Sequence, residues 1–219
     1  MRKVIVGARV SMDGVMQAPS GPDEEDQGFK LGGWAAALQS DDPVVWKELG
    51  KLFDQPFDLL LGRRTYDIFA SYWPYAKGDI AEPFNRVTKY VATRKGVDLT
   101  WNVSVALRDA AKDVAMLKQE VGPPLITQGS AELVHSLLAA GLVDEIRTLT
   151  FPVLLGKGKR LFSDDSQPRA FKLTDSTVSP NGIIHAIYRL DGEVKTGTVG
   201  DPQELAAAKA RRAKQKSKG

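Results

Sequence analysis

The chain predicts an α/β fold: one domain with a mostly parallel central sheet, antiparallel C-terminal strands and helices on both faces. Three observations carry that expectation. Short apolar runs of strand length alternate with segments whose apolar residues recur at helical spacing. Capping and breaking residues fall between them, as in Asp42-Pro43, Gly122-Pro123-Pro124 and Gly129-Ser130. After Gly156-Lys157-Gly158 the alternation ends in two strand-like runs joined by Ser179-Pro180-Asn181-Gly182.

Taken in order, residues 3–10 form a first strand, followed by a polar, acidic loop that includes Glu24-Glu25-Asp26. Asp42 as N-cap and Pro43 at the first helical position start a helix in which Val45, Leu49, Leu52 and Phe53 share a face. Residues 57–61 form a second strand that runs directly into Gly62-Arg63-Arg64-Thr65 and a helix; residues 89–93 form a third. Leu107, Val114 and Leu117 place an amphipathic helix over 106–120. A strand over 125–128 precedes a helix opened by Gly129-Ser130 with Leu133, Val134, Leu137 and Leu138 on one side. Strands over 145–151, 171–178 and 183–190 follow, the last two antiparallel.

Composition narrows the function. With 219 residues, 42% of them hydrophobic, the chain buries one sizeable core. Cysteine is absent, which removes disulfides, thiolate nucleophiles and cysteine-bound metals. With only His135 and His185, no metal site is predicted. The apolar run after Met1-Arg2-Lys3 is broken by Arg9, and no uncharged stretch reaches the roughly 18 residues of a membrane span. A cytoplasmic protein without membrane partners is expected. The net charge of +3 divides unevenly: residues 203–219 hold six basic residues and one acidic, leaving −2 on the rest. Nucleic-acid binding is thus not expected of the folded body, and a solvated tail is the stronger reading of the basic end.

Three strand ends carry groups suited to phosphate: Gly62-Arg63-Arg64-Thr65, Thr93-Arg94 and Gly129-Ser130. Helix starts offer unpaired N–H groups to anions, and arginine adds a charged fork of donors. In open α/β sheets ligands bind at the carboxyl ends of strands, so three such groups at equivalent positions point to a phosphate-bearing cofactor. Neither the G-x-G-x-x-G nor the Walker pattern occurs, and Gly156-Lys157-Gly158-Lys159 reads as a tight turn.

These residues resemble the dihydrofolate reductase superfamily, and within it the branch of the riboflavin-biosynthesis deaminase–reductase C-terminal reductase domain. The likeness is carried by Ser11-Met12-Asp13-Gly14, Leu60-Leu61-Gly62-Arg63-Arg64-Thr65-Tyr66, Val91-Ala92-Thr93-Arg94, Gln128-Gly129-Ser130-Ala131-Glu132-Leu133, Ala140-Gly141-Leu142-Val143-Asp144-Glu145 and Phe151-Pro152-Val153-Leu154-Leu155-Gly156. It implies one dihydrofolate-reductase-like domain over 1–192, a basic tail over 193–219, and a homodimer.

The resemblance further implies NADPH as cofactor. Gly62, Arg63, Arg64 and Thr65 would meet its phosphates, Thr93 and Arg94 would flank the adenosine 2′-phosphate, and Gly129, Ser130, Ala131 and Glu132 would lie beneath the pyrophosphate. Ala8, with Val10, would approach the nicotinamide. The implied activity is hydride transfer to a small heterocyclic or sugar-derived substrate, as in 5-amino-6-(5-phosphoribosylamino)uracil reductase or dihydrofolate reductase. A non-catalytic nucleotide-binding module with the same cleft is the alternative. Asp13 is the candidate catalytic and substrate-binding acid; an Asp-Gly turn bonding its own backbone is an equal reading. Trp34, Tyr66, Tyr72 and Trp73 are candidate walls for a flat substrate, with core packing the competing role of each. Two departures from the family stand out: residues 31–37 offer no carboxylate, and Gln128 occupies a position where many relatives have glycine.

Overall fold

The computed structural model describes residues 1–24, 28–94, 98–164 and 166–216; Glu25 and Asp26 of the acidic run lie outside them. Eight strands form one sheet. They are β1 (Val4–Ser11), β2 (Asp58–Gly62), β3 (Lys89–Ala92), β4 (Ser104–Leu107), β5 (Leu125–Gln128), β6 (Glu145–Phe151), β7 (Phe171–Val178) and β8 (Ile184–Leu190), in the order β4-β3-β2-β5-β1-β6-β8-β7. The first six in that order run parallel, β8 is antiparallel to β6, and β7 is antiparallel to β8.

The helices are α1 (Ala36–Gln39), α2 (Pro43–Phe53), α3 (Arg63–Tyr72), α4 (Ala81–Arg86), α5 (Ala110–Gln119), α6 (Ala131–Ala139) and α7 (Pro202–Lys216). They cover both faces because successive strand residues point opposite ways. Leu60 joins Val4, Val6, Val114, Leu133 and Leu137 under α5 and α6, whereas Leu59 and Leu61 join Leu52, Tyr66 and Phe84 under α2, α3 and α4. No helix among the described residues is long and apolar enough to cross a membrane.

One expectation is corrected. Residues 106–120 are not one helix: Ser104–Leu107 pairs with β3, and the helix starts only after Asp109, whose carboxylate accepts the Lys112 N–H. Leu107 packs with Val114 and Leu117, so one apolar cluster served two element types and strand pairing decided between them. The short helix α4 escaped the sequence reading. The basic tail is helical over Pro202–Lys216, in keeping with its Ala, Lys, Arg and Glu content, and buries none of its residues.

Buried Lys89 closes the C-terminal end of α4. Its Nζ–H groups donate to the carbonyls of Asn85 and Val87, each at 2.9 Å, and its ammonium lies 4.5 Å from the Trp101 ring centroid. Asn85 in turn accepts the Trp101 Nε1–H and donates to the Trp73 carbonyl, both within 2.8 Å. Burial pulls the Lys89 ammonium down to about 8 from its ordinary 10.5. Between those values the unfolded chain binds more protons than the folded one, so this group makes stability rise with pH. Urea melts of wild type and K89M should diverge over that window, wild type gaining on the order of 3 kcal/mol that the variant lacks.

Candidate active site

The carboxyl ends of β3, β2 and β5 lie side by side, and β2 passes into α3 without a loop. The two helix starts that follow β2 and β5 are tied together. Gly62 N–H donates to Ser130 Oγ at 2.9 Å, and Ser130 Oγ–H donates to Thr65 Oγ1 at 2.8 Å. A Cβ on Gly62 would stand 3.3 Å from Ser130 Cβ and Oγ, so glycine lets the two starts approach. Gly129 and Ser130 take φ values of 75° and 65°, turning β5 sharply into α6.

Capping separates these helices from α2 and α5, though the short α1 and α4 also lack a side-chain cap. The N-terminal turns of α2 and α5 are closed by Asp42 and Asp109 side chains, whereas α3 and α6 have no side-chain cap. An uncapped helix start presents its N–H groups and positive dipole end to whatever lies in front of it. In front lies a cleft of about 660 Å³, the size of a ligand site. Arg64, Thr65, Gly129, Ser130 and Ala131 line it, as do Arg9, Gln17, Gln39 and Lys159. Trp46, Phe53, Phe69, Tyr72 and Trp73 add aromatic, largely apolar surface to the lining.

The remaining sequence-derived candidates are placed as follows. Arg63 turns back onto Asp67, its Nε 2.9 Å from both carboxylate oxygens, and its Nη1 is buried with no hydrogen-bond partner among the described residues. Thr93 and Arg94 continue β3 just past the Gly62–Ala92 pairing, next to the start of α3 but outside the cleft lining. Glu132 stands in the first turn of α6, also outside the lining. Ala8, with Val10, packs in the core under α5 and α6, because strand alternation sends Arg9 toward the cleft instead.

Asp13 is not brought to the cleft. Its carboxylate accepts from Ser11 Oγ at 2.6 Å, Leu155 N at 3.2 Å and Gly156 N at 2.8 Å, with Arg160 Nη2 3.6 Å away. These donors, the Ser11 hydroxyl first, hold it at about 2, so it carries no proton near neutrality. The side chain thus clamps the loop before Arg160. D13N should lower the thermal unfolding midpoint while leaving NADPH affinity unchanged by calorimetry, because only the clamp loses its charged acceptor. Sign and window follow from the lowered value: its stabilisation is complete above the ordinary 3.8 and is lost as pH falls toward 2.

Of the aromatic candidates Tyr72 and Trp73 line the cleft. Tyr66 is 1% exposed and its hydroxyl accepts the Trp101 backbone N–H at 2.8 Å, which makes it core. Trp34 donates from Nε1 to the Gln17 carbonyl at 2.8 Å and packs edge-on against Phe151. Sequence reasoning missed Arg9, Gln39, Trp46 and Lys159. A charge inside the run Val-Gly-Ala-Arg-Val was the signal for Arg9. Gly156 and Gly158 do form the expected turn, at φ 75° and 133°, and it delivers Lys159 to the cleft. Among the described residues no group of three potential ligands stands close enough to hold a metal ion.

Comparison with known proteins adds a family to this geometry. Residues 2–185 match the RibD C-terminal domain. The chain belongs to the RibD C-terminal domain family. Within reach of this RibD-type chain is the uncharacterized protein YyaP of Bacillus subtilis, 25% identical over 199 residues, covering 87% of the chain and 96% of the relative. Among solved structures, a pyrimidine reductase-like protein of Corynebacterium diphtheriae superposes with a TM-score of 0.59 at 12% identity, over 88% of this chain and 93% of that one. Dihydrofolate reductase from Enterococcus faecalis, complexed with NADP(H), superposes with a TM-score of 0.54 at 11% identity, over 86% and 96%. The RibD-type domain here therefore has the dihydrofolate-reductase-like fold, with its antiparallel finish.

Proposed function

We propose that the protein is an NADPH-dependent reductase acting on a small heterocyclic or sugar-derived substrate at a C=N or C=O carbon. The observation that carries this reading is the pair of uncapped helix starts, α3 and α6, joined through Gly62, Ser130 and Thr65 and opening on a cleft of about 660 Å³. The residues fit the cofactor: N–H groups and hydroxyls for a pyrophosphate, and the unpartnered Nη1 of Arg63 beside Arg94 for a further phosphate. Family membership and the fold shared with an NADP(H)-complexed reductase support an oxidoreductase.

When bound, NADPH supplies the hydride. Thr65 and Ser130 would hold its phosphates, and the aromatic wall with Trp73 would exclude water from the reacting end. Asp23 and Glu24 line the cleft and replace Asp13 as carboxylates able to pass a proton. Calorimetry should show NADPH binding to wild type and a loss of about tenfold in S130A. Wild type should consume NADPH with at least one member of a panel of aminouracils, pteridines and carbonyl compounds. A folded wild-type protein that fails to bind NADPH would refute the assignment.

A further inference from the structure

Two hydrogen-bond donors carried by neighbouring strands, Arg9 on β1 and Gln128 on β5, line the cleft. Arg9 projects from β1, the strand between β5 and β6, and lines the cleft. Its Nε–H donates to Gln39 Oε1 at 2.7 Å, the one hydrogen bond its guanidinium makes among the described residues. Burial works against its charge, and the nearby Glu24 carboxylate works for it. With one protein acceptor at Nε, the other N–H groups of this permanently charged fork are left for whatever occupies the cleft.

The second donor is Gln128, at the end of β5. Its Nε2 is buried and has no partner among the described residues. Gly7 pairs with Gln128 across the parallel strands, and a Cβ on Gly7 would lie 2.5 Å from that nitrogen. Glycine at position 7 therefore makes room for the amide. Arg9 lies two residues further along β1, on the same face as Gly7, and both donors line the same cleft.

We infer that Arg9 and Gln128 form a receptor for an oxyanion, and that the substrate is a flat ring carrying an ionised carboxylate. A planar fork and a planar amide suit the two oxygens of a carboxylate. The donors suited to phosphate are the N–H groups and hydroxyls at the starts of α3 and α6. Phe53, Phe69 and Trp73 give the ring an apolar surface. This inference rests on the reductase reading, since it names the substrate class of that reaction.

Benzoate, its neutral isostere benzamide, and phenyl phosphate serve as probes, titrated into the full chain with and without NADPH. Wild type should bind benzoate at least about tenfold more tightly than benzamide. R9M should abolish that preference, and Q128L should weaken benzoate about threefold or more. R9K, which keeps the charge but not the fork, covers the case in which R9M does not fold, and should lose about fivefold. Equal binding of benzoate and benzamide, full benzoate affinity in R9M or R9K, or tighter binding of phenyl phosphate overturns the inference. Unchanged benzoate binding in Q128L overturns the amide's part in it. Benzoate discrimination that depends on Arg9 in a protein that does not bind NADPH supports the receptor and defeats the reductase reading alone.

Discussion

Replacing Arg63 and Arg94 together by alanine is expected to weaken NADPH binding roughly 100-fold while changing NADH binding less than about threefold. The two cofactors differ by one phosphate on the adenosine ribose, and these arginines stand where β2 and β3, paired through Gly62 and Ala92, reach the start of α3. Arg63 is engaged with Asp67, but that pair is an i,i+4 contact whose acid is half exposed, worth only about 0.3–0.5 kcal/mol. A charge-assisted bond to phosphate is worth about 1.5–3 kcal/mol, so the guanidinium would exchange partners. Its buried Nη1, which Asp67 leaves unsatisfied, favours the same exchange. Calorimetric titration of both cofactors checks this. Equal losses for NADPH and NADH would refute the phosphate role.

The largest loss of stability is expected from R2M, about 3 kcal/mol in urea unfolding, with a fall in the thermal midpoint of about 6–12 °C. Arg2 is 4% exposed. Its guanidinium is paired with Asp58, donates to the Pro123 carbonyl at 2.7 Å and lies 5.3 Å from the Tyr90 ring centroid. Removing it leaves the Asp58 carboxylate with the Thr88 N–H, at 3.1 Å, as its hydrogen-bond donor among the described residues. A buried ion pair adds little over apolar packing, but an orphaned member is costly. The double variant R2M/D58N should recover part of the loss, because the uncompensated charge is gone.

This cluster sits where β1, β2, β3 and β5 begin, whereas the cleft sits where they end. NADPH affinity should therefore survive in R2M. Asp144 and Lys118 reinforce the same amino edge: Asp144 accepts the Val4 N–H at 2.7 Å, and Lys118 pairs with Asp144 and donates to the Leu142 carbonyl at 2.8 Å. Stability is concentrated at one edge of the sheet and ligand chemistry at the other, the division expected of parallel α/β sheets.

Much of this was legible in the amino acids, and the reasons are local. Asp42-Pro43 opened a helix because a capping acid and a fixed φ suffice to start one, whatever packs later. Leu125–Gln128, Glu145–Phe151 and Phe171–Val178 were readable as strands because apolar runs bounded by turns leave few alternatives. The phosphate-suited groups at Gly62–Thr65 and Gly129–Ser130 were readable because a short polar stretch after an apolar run marks a strand end.

Elsewhere distant segments decided. Residues 104–107 became a strand because β3 offered a free edge for pairing. Asp13 was balanced between catalyst and turn until Leu155 and Gly156, far along the chain, filled its carboxylate with N–H donors. Arg9 looked like a mere interruption of an apolar run, and Gln128 like a family departure. Strand pairing put both against one cleft. The order of elements, their caps and the phosphate-suited strand ends were set by the sequence itself, since they depend on neighbours within a turn or two. Which side chains reach the cleft and which are consumed as structure was decided only in three dimensions, because a side chain's partners there come from strands and loops remote in the chain.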